Sequence, residues 1–221
     1  MLFRSDHIAV VTLNRAQQRN ALNLELLTEL ELCAQRFRDD TDTRVVIFTG
    51  TGKHFCSGID LNYMHDVHQQ PMIEKRRRIR LGERVFHAIL DIEQITICAW
   101  NGAALGGGAC LATATDLRVG ADNCFVQYPE IDLGMNLMWQ CLPRTTRLVG
   151  ESRTIRLAIC GEKVEAQAML AWGMLDTVVP ADELLEHAHA MAKQYATKPP
   201  VAAQMIKRAV NATGSKLDRA M

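Results

Sequence analysis

The first segment whose residues could support chemistry runs from Lys53 to Leu61 and has the sequence KHFCSGIDL. Gly58 would let the backbone of this segment approach a ligand closely. The next N–H, that of Ile59, would then be free to donate to a negatively charged oxygen. An ordinary turn with one glycine would have the same composition. The segment therefore indicates either an anion-stabilising loop or a plain turn.

The second segment is the glycine triplet Gly106–Gly108, which joins a predicted strand to a predicted helix. Three consecutive glycines are costly in backbone entropy, so their occurrence without a structural or functional reason is a poor explanation. N–H groups at a helix N-terminus stabilise negative charge through hydrogen bonds and the helix dipole. The third glycine of a dinucleotide-binding fingerprint is absent, because Ala109–Leu111 follow. A phosphate-binding P-loop is excluded because Lys53 is followed by His54.

The third segment is the loop Tyr128–Gly134, with the sequence YPEIDLG, which places two carboxylates among apolar residues. A solvated turn is the simple interpretation. The functional interpretation is that Glu130, between Pro129 and Ile131, loses water contact. Desolvation would raise the pKa of this carboxyl group and make it a usable base near neutral pH.

The elements that position these segments follow from hydrophobic periodicity. A β-branched run predicts a strand over His7–Leu13, and a second buried strand is predicted over Arg44–Thr49. Between them, apolar residues recur at helical spacing from Leu26 to Phe37, and Asn23 precedes them as a plausible N-cap. A strand, a helix and a strand in this order predict a parallel sheet.

A second cycle of elements carries the glycine triplet. The pattern predicts a charged helix around Glu74–Ile92, a strand over Ile95–Trp100, and short strands over Asp116–Gly120 and Cys124–Gln127. From about Glu151 onward the pattern is helical. With no internal repeat and no linker, residues 1–221 are expected to form one domain, with a core over about 1–150 and a helical part over about 151–221.

The charge balance excludes a global attraction to polyanions. The 221 residues are 48% hydrophobic, and 25 Lys and Arg balance 25 Asp and Glu, so the formal net charge is zero. We therefore expect neither nucleic acid nor a membrane surface as a partner. No run approaches the ~18 apolar residues of a membrane span, and the N-terminus lacks the apolar core of a signal peptide.

Cysteine and histidine usage indicates neither disulfides nor a metal site. The seven cysteines are odd in number, widely spaced and without a CxxC pair, which is typical of reduced thiols in the cytoplasm. His65 and His68, like His187 and His189, lack further ligands at convincing metal spacing. We expect a cytoplasmic protein that holds no metal.

In this order, the three segments resemble the crotonase superfamily, also called the enoyl-CoA hydratase/isomerase family, from about Ile8 to Asn211. Further matches are Thr12–Arg15 with Asn20–Leu22, Trp100–Gly102, Asp116–Arg118, Gly173–Asp176 and Val178–Pro180. The resemblance implies an α/β fold, a crotonase-like ββα spiral core with a helical C-terminal region. It also implies a homotrimer or a hexamer. Because the family usually continues beyond a segment like Lys207–Met221, a shortened C-terminus is expected.

The resemblance also implies a substrate and a site. The substrate would be an acyl-CoA thioester, and no cofactor would be needed beyond the coenzyme A of the substrate. Its carbonyl oxygen would lie between the N–H groups of Ile59 and Gly107, and losing one such donor typically costs ~3 kcal/mol. The implied substrate-binding residues are His54, Ser57, Gly58, Asp60, Leu61, Gly106, Leu133 and Trp139. The cations Lys75–Arg78 and Arg80 are expected to form a solvated helix face, of which one or two could meet the CoA phosphates.

Two departures from the hydratase pattern decide the expected reaction. The resemblance implies that hydratases of this family hold the attacking water between two carboxylates. Glu130 retains the later carboxylate, whereas Cys110 replaces the earlier one. A thiol is a poor substitute for a carboxylate that holds water. In Met135–Cys141, bulky residues replace a glycine-rich stretch, which predicts a narrower and drier pocket. Cys110 as a nucleophile is the weaker alternative, because no His is close to it in sequence.

A single carboxylate in a dry pocket suits a proton shuttle. We therefore expect Glu130 to be the catalytic base that isomerises a 3-enoyl-CoA to a 2-enoyl-CoA. One alternative is a hydratase or another enolate-forming lyase in which Asp132 assists Glu130. A second alternative is a non-catalytic protein that binds acyl-CoA or acts in assembly.

Overall fold

Alternating β-branched and amphipathic runs produce two sheets with flanking helices in the computed structural model, which describes residues 2–137 and 139–218. The strands are β1 (Leu2–Ser5), β2 (Ile8–Leu13), β3 (Val45–Gly50), β4 (Ile95–Trp100), β5 (Ala103–Leu105), β6 (Leu117–Ala121), β7 (Phe125–Gln127), β8 (Val164–Glu165) and β9 (Thr177–Val179). The helices are α1 (Leu24–Arg36), α2 (Leu61–His68), α3 (Met72–Leu90), α4 (Gly107–Ala114), α5 (Cys141–Val149), α6 (Glu151–Cys160), α7 (Ala166–Trp172), α8 (Leu184–Ala196) and α9 (Pro200–Asp218). Both classes of element alternate along the chain, which confirms the α/β class.

The larger sheet has the strand order β1-β2-β3-β4-β6-β9. All its neighbouring strands pair in parallel except β1, which pairs antiparallel with β2. Every residue of β3 is buried, as expected for a parallel strand that is covered on both faces. The parallel sheet predicted from the sequence is confirmed.

The smaller sheet, in the order β5-β7-β8, begins where β4 ends. Asn101 joins the two regions: its Oδ1 accepts from the N–H of Gly50 at 3.0 Å, and its Nδ2 donates to the carbonyl of Gly50 at 2.8 Å. The chain then enters β5 and continues directly into α4. This ββα order places the glycine triplet at the edge of the larger sheet where β3 and β4 end.

The hydrophobic core extends from Ile8 in β2 to Ala196 in α8. Helix α3 contributes one apolar face although most of its surface is charged, because its buried residues recur at helical spacing: Leu81, Gly82, Val85, Phe86 and Ile89. On the exposed side, Arg84 forms a bidentate ion pair with Glu31 of α1, with a shortest distance of 2.7 Å. Helices α1 and α3 therefore pack against each other and against the sheet.

Three features differ from the elements expected from the sequence. Helix α2 begins directly after the first segment, with Asp60 as its N-cap, where only a loop was expected. Helical structure near the C-terminus begins at Cys141 in α5, before the expected boundary at about Glu151. Strands β1, β5 and β8 were not predicted, because strands of two to four residues carry too little periodicity.

Within the part of the chain that the structure describes, no helix is long and apolar enough to cross a bilayer. All seven cysteines have free thiols, of which Cys160 is exposed and Cys33 is half-buried. The division of residues 1–221 into a single domain remains a prediction.

Candidate active site

The first segment and the glycine triplet lie side by side. The N–H of Cys56 donates to the carbonyl of Ala103 at 3.1 Å, and the N–H of Leu105 donates to the carbonyl of Cys56 at 3.0 Å. Beyond this pairing, Gly58 has a φ of +85°. A Cβ at Gly58 would lie 2.7 Å from the Leu105 carbonyl oxygen and 3.7 Å from the nitrogen of Gly107. Only glycine therefore lets the two loops approach this closely.

The N–H of Ile59 is left free by its neighbours. Leu22 donates to the carbonyl of Gly58 at 2.8 Å and accepts from the N–H of Asp60 at 3.0 Å, so both hydrogen bonds bypass Ile59. No backbone carbonyl of the described residues accepts from the N–H of Ile59. This group points away from Leu22, as the alternation along an extended chain requires.

The N–H of Gly107 is free for a different reason. Gly107 is the first residue of α4, and the first hydrogen bond of this helix runs from the N–H of Cys110 to the carbonyl of Gly106 at 3.0 Å. The N–H groups of a first helical turn have no acceptor within the helix. Ile59 and Gly107 line the same cavity. Two free donors in one cavity can stabilise a negatively charged oxygen.

Glu130 lies in a single 3₁₀ turn, Pro129–Leu133, that ends at Gly134, which has a φ of +65°. The N–H of Met135 donates to the carbonyl of Glu130 at 2.9 Å. The carboxylate covers the Cα of Gly106, because a Cβ at that position would overlap Oε1 of Glu130. The acidic loop therefore places its carboxylate on the glycine triplet.

The carboxylate of Glu130 is held in an environment that disfavours its charge. Its Oε2 atom is buried and has no hydrogen-bond partner among the described residues. Burial raises the pKa of this carboxyl group above its usual value of 4.5. A buried polar atom without a partner costs free energy, and such groups are concentrated at functional sites. Glu130 can thus accept a proton more readily than an ordinary surface glutamate.

The cavity has a polar end and an apolar end and a volume of about 60 Å³. Ile59, Gly107 and Glu130 form the polar end, and Glu130 is the one carboxylate among the described lining residues. Side chains of α1, α2 and α3 form the apolar end, including Leu27, Val67 and Ile79. The lining brings one base beside two hydrogen-bond donors.

Cys110 also lines the cavity, and it is buried. Its Sγ lies 2.8 Å from the Sγ of Cys141 at the start of α5. Burial, followed by the contact with Cys141, raises the pKa of the Cys110 thiol well above its usual value. The thiol is therefore neutral at pH 7, which disfavours it as a nucleophile.

Asp132 does not join Glu130 in the cavity. It is exposed, its Oδ2 lies beside the backbone of Gly161, and it is absent from the cavity lining. Residues two apart in this 3₁₀ turn point in different directions. The arrangement gives no structural support to the alternative in which Asp132 assists Glu130.

His54 and Asp60 lie near the two ends of the first segment. Nδ1 of His54 is buried without a partner among the described residues, and burial, with smaller contributions from Arg19 and Lys53, lowers the pKa of its imidazole. Asp60 caps α2 by accepting from the N–H of Asn62 at 3.1 Å, and it forms an ion pair with Arg15 at 3.1 Å. The two contacts of Asp60 hold this end of the loop in place.

The remaining predicted binding residues divide into two groups. The N–H of Ser57 donates to the carbonyl of Arg19 at 3.0 Å, which fixes the loop immediately before Gly58. Leu61 and Leu133 are 71% and 60% exposed and lie outside the cavity lining. The structure therefore does not bring these two leucines to the cavity, and their contact with a substrate remains a prediction.

Trp139 lines the cavity and is buried. A Cβ at Gly107 would lie 2.7 Å from Cη2 of the indole, and a Cβ at Gly82 would overlap the indole ring. The ring therefore occupies the space between α3 and the first turn of α4. That the bulky segment makes the pocket narrower than in hydratases remains a prediction.

Several lining residues were not anticipated from the sequence. Tyr63 and Gly82 lie on helices that contribute no recognisable motif. Cys141 lies outside the lining and contacts the lining residue Cys110 through packing. One signal was available: a lone glycine in the middle of a helix costs stability, so Gly82 in α3 required a packing reason. Of the basic cluster, Arg78 reaches the cavity lining. Among residues 2–137 and 139–218, no three His, Cys, Asp or Glu side chains converge as metal ligands would.

Comparison with known proteins shows which family the sequence matches. The sequence model of the enoyl-CoA hydratase/isomerase family matches residues 4–220. The chain is 33% identical over 212 residues to the short-chain-enoyl-CoA hydratase of Clostridium acetobutylicum, covering 96% of this chain and 80% of that protein. It is 32% identical over 223 residues to the crotonyl-CoA hydratase of Syntrophomonas wolfei, covering 100% of this chain and 85% of that protein.

A solved structure supports the same relationship. The enoyl-CoA hydratase of Bacillus anthracis superposes with a TM-score of 0.90 at 29% identity, over 100% of this chain and 88% of that one. The crotonase-like α/β fold expected from the sequence is therefore confirmed.

Proposed function

Because the chain belongs to the enoyl-CoA hydratase/isomerase family, we propose that it binds an acyl-CoA thioester and isomerises a 3-enoyl-CoA to a 2-enoyl-CoA. The observation that favours isomerisation over hydration is the single carboxylate. Glu130 lines the cavity, and Cys110 occupies the position at which the resemblance implies a second carboxylate in hydratases. No cofactor takes part in the proposed reaction other than the coenzyme A of the substrate.

The proposed reaction moves one proton between two carbons of the substrate. The thioester oxygen accepts hydrogen bonds from the N–H groups of Ile59 and Gly107. Glu130 removes a proton from C2, and the electron pair of the broken C–H bond delocalises onto the thioester oxygen. The same carboxyl group returns the proton to C4, and the double bond moves from C3–C4 to C2–C3. The charge on the oxygen forms and disappears while both donors stay in place.

The surroundings of Glu130 support a shuttle rather than the activation of water. Its raised pKa brings its proton affinity closer to that of a thioester enolate, which helps transfer in both directions. Addition of water across a double bond needs a second group that orients the water. The thiol of Cys110 is neutral and contacts Cys141, so it offers only a weak hydrogen bond for this purpose.

Hydration of a 2-enoyl-CoA is the second candidate function. It is favoured by the names of the relatives, which are hydratases. In that case Glu130 would activate water without help from a carboxylate at position 110. A non-catalytic role in acyl-CoA binding is the third candidate. The buried Oε2 of Glu130, which has no partner among the described residues, argues against it.

The test follows the ultraviolet absorbance of the conjugated enoyl thioester after the protein is mixed with 3-hexenoyl-CoA. Isomerisation alone predicts a rise to a stable plateau, and isomerisation followed by hydration predicts a rise and then a decay. The Glu130→Gln variant is the control, because it keeps the shape of the side chain without the base. A flat trace with 3-hexenoyl-CoA together with decay of 2-hexenoyl-CoA would establish the hydratase, and full activity in Glu130→Gln would contradict the proposal.

A further inference from the structure

We propose that Trp139 closes the apolar end of the cavity and restricts the substrate to short acyl chains. This inference rests on the proposed acyl-CoA function and specifies the substrate class for the same site. It assigns a specificity-determining role to one side chain and to the two glycines that make room for it.

The first step is the position of the indole ring. It lies against Gly82 of α3 on one side and against Gly107 of α4 on the other, and a side chain at either position would collide with it. Gly107 carries the N–H that is proposed to bind the thioester oxygen. The indole is therefore next to the reacting end of the substrate, where an acyl chain would have to pass.

The second step is the anchor that holds the ring in place. Gln140, the next residue, has a φ of 56°. Its Nε2 donates to Oε1 of Glu83 at 2.9 Å, and its Oε1 lies 3.0 Å from Nε2 of His87. Glu83 and His87 lie one helical turn apart on the same face of α3. The residue after Trp139 is thus hydrogen-bonded to the helix that also carries Gly82.

The third step is the space that remains. The cavity has a volume of about 60 Å³, whereas pockets for drug-sized ligands have volumes of ~300–1,000 Å³. The rest of the lining includes apolar side chains such as Leu27, Val67 and Ile79, which suit a hydrocarbon. With the indole in place, the cavity has room for a few carbons beyond the thioester, and a longer chain would need the ring to leave.

The experiment measures binding of saturated butanoyl-CoA and decanoyl-CoA by isothermal titration calorimetry. Saturated acyl groups cannot isomerise or be hydrated, so the result does not depend on which reaction the protein catalyses. We expect the native protein to prefer butanoyl-CoA by about tenfold or more, and Trp139→Ala to reduce or reverse this preference. Trp172→Ala is the matched control: its ring is half-buried on α7 beside Arg153 and Arg156. That variant should keep the native preference.

Each other outcome has a definite meaning. Equal binding of the two acyl-CoAs by the native protein, or an unchanged preference in Trp139→Ala, would overturn the inference alone. Binding of neither acyl-CoA by the native protein would contradict the proposed function and the inference with it. If Trp139→Ala does not fold, Trp139→Leu fills part of the space and should show an intermediate preference.

Discussion

The carboxylate of Glu130 occupies the space that a side chain at Gly106 would fill. Gly106 has a φ of 47° and a ψ of −117°, which is a conformation open to glycine and few other residues. Its N–H donates to the carbonyl of Gln127 at 2.9 Å, which fixes the triplet to β7. One glycine thus seats the proposed base, and the next residue, Gly107, supplies a proposed oxyanion donor. The base and the donor are held by the same turn of the chain.

Gly106→Ala is expected to displace Glu130 and to reduce isomerase activity by about 100-fold or more, in the range of a lost general base. The substitution also places a Cβ on a backbone with positive φ, which costs about 1–3 kcal/mol of stability. Gly150→Ala is the matched control, because Gly150 also has a positive φ, 84°, but a Cβ added there would meet no atom within 4 Å. Similar destabilisation with normal activity in the control would isolate the effect on Glu130. Normal activity in Gly106→Ala would contradict the proposed seat of the base.

Glu130→Gln is expected to lower activity by about 10²–10⁴-fold. The pH profile of kcat/KM for the native protein should rise with a midpoint above 4.5, the usual pKa of this group, because the base form is required and burial raises its pKa. A midpoint at or below 4.5 would contradict the assignment.

The same substitution is expected to increase stability at neutral pH. In the folded protein the pKa of Glu130 is raised above 4.5, so the folded state holds this proton more tightly than the unfolded state does. The stability that the bound proton contributes is complete below pH 4.5 and is lost as the pH rises through the pKa of the folded state. Glutamine carries no charge, so Glu130→Gln should have a higher free energy of unfolding than the native protein at pH ~7, and an equal one at pH ~4. Urea unfolding at both pH values measures the difference, and a variant less stable at both would refute it.

Cys110→Glu alone is expected to fit poorly, because the Sγ of Cys141 lies 2.8 Å from the Sγ that it replaces. The double variant with Cys141→Ala makes room for the second carboxylate. We expect it to add a decay phase to the absorbance trace with 3-hexenoyl-CoA, since two carboxylates can hold the attacking water. Cys110→Ala with Cys141→Ala is the control and should give a plateau. A folded Glu variant that shows no decay would assign the loss of hydration to Met135–Cys141 instead.

Gly82→Ala is expected to destabilise the protein by about 1–3 kcal/mol, because the new Cβ overlaps the indole of Trp139. A loss of stability would distinguish this contact from an ordinary helix position, because alanine in a helix interior is otherwise about 1 kcal/mol more favourable than glycine. Adding Trp139→Ala should remove the penalty, with a coupling energy of about 1–3 kcal/mol in a double-mutant cycle measured by urea unfolding. Additive effects of the two substitutions would contradict the contact.

Tyr63→Phe is expected to raise the free energy of unfolding by about 1 kcal/mol, because the buried hydroxyl of Tyr63 has no hydrogen-bond partner among the described residues. Tyr128→Phe provides the opposite case: its hydroxyl is buried and lies 3.1 Å from Oγ1 of Thr145, so its removal should lower stability by about 1 kcal/mol. Thermal or urea unfolding of both variants checks the contrast. Destabilisation of both variants would indicate that Tyr63 has a partner in solution.

Local patterns in the sequence predicted the long elements well. The strands β2, β3 and β4 and the helices α1 and α3 lie where periodicity placed them, and Asn23 caps α1 through a hydrogen bond from the N–H of Leu26 at 3.0 Å. Such elements are specified by their own residues, since period and capping act over a few positions. Helix α2 and the short strands escaped prediction because they depend on pairing and packing with distant segments.

The sequence by itself determined which chemical groups are available: a carboxylate at Glu130, a thiol at Cys110, and glycines where the backbone must approach a ligand. It also determined the family, because several short motifs occur in one order. Only the tertiary structure decided which side chains share the cavity. Trp139 meets Gly82 from a distant part of the chain, and Asp132 turns away from Glu130 although they are two residues apart. The physical reason is that contacts between elements depend on the faces that pack together, and separation along the chain does not specify those faces.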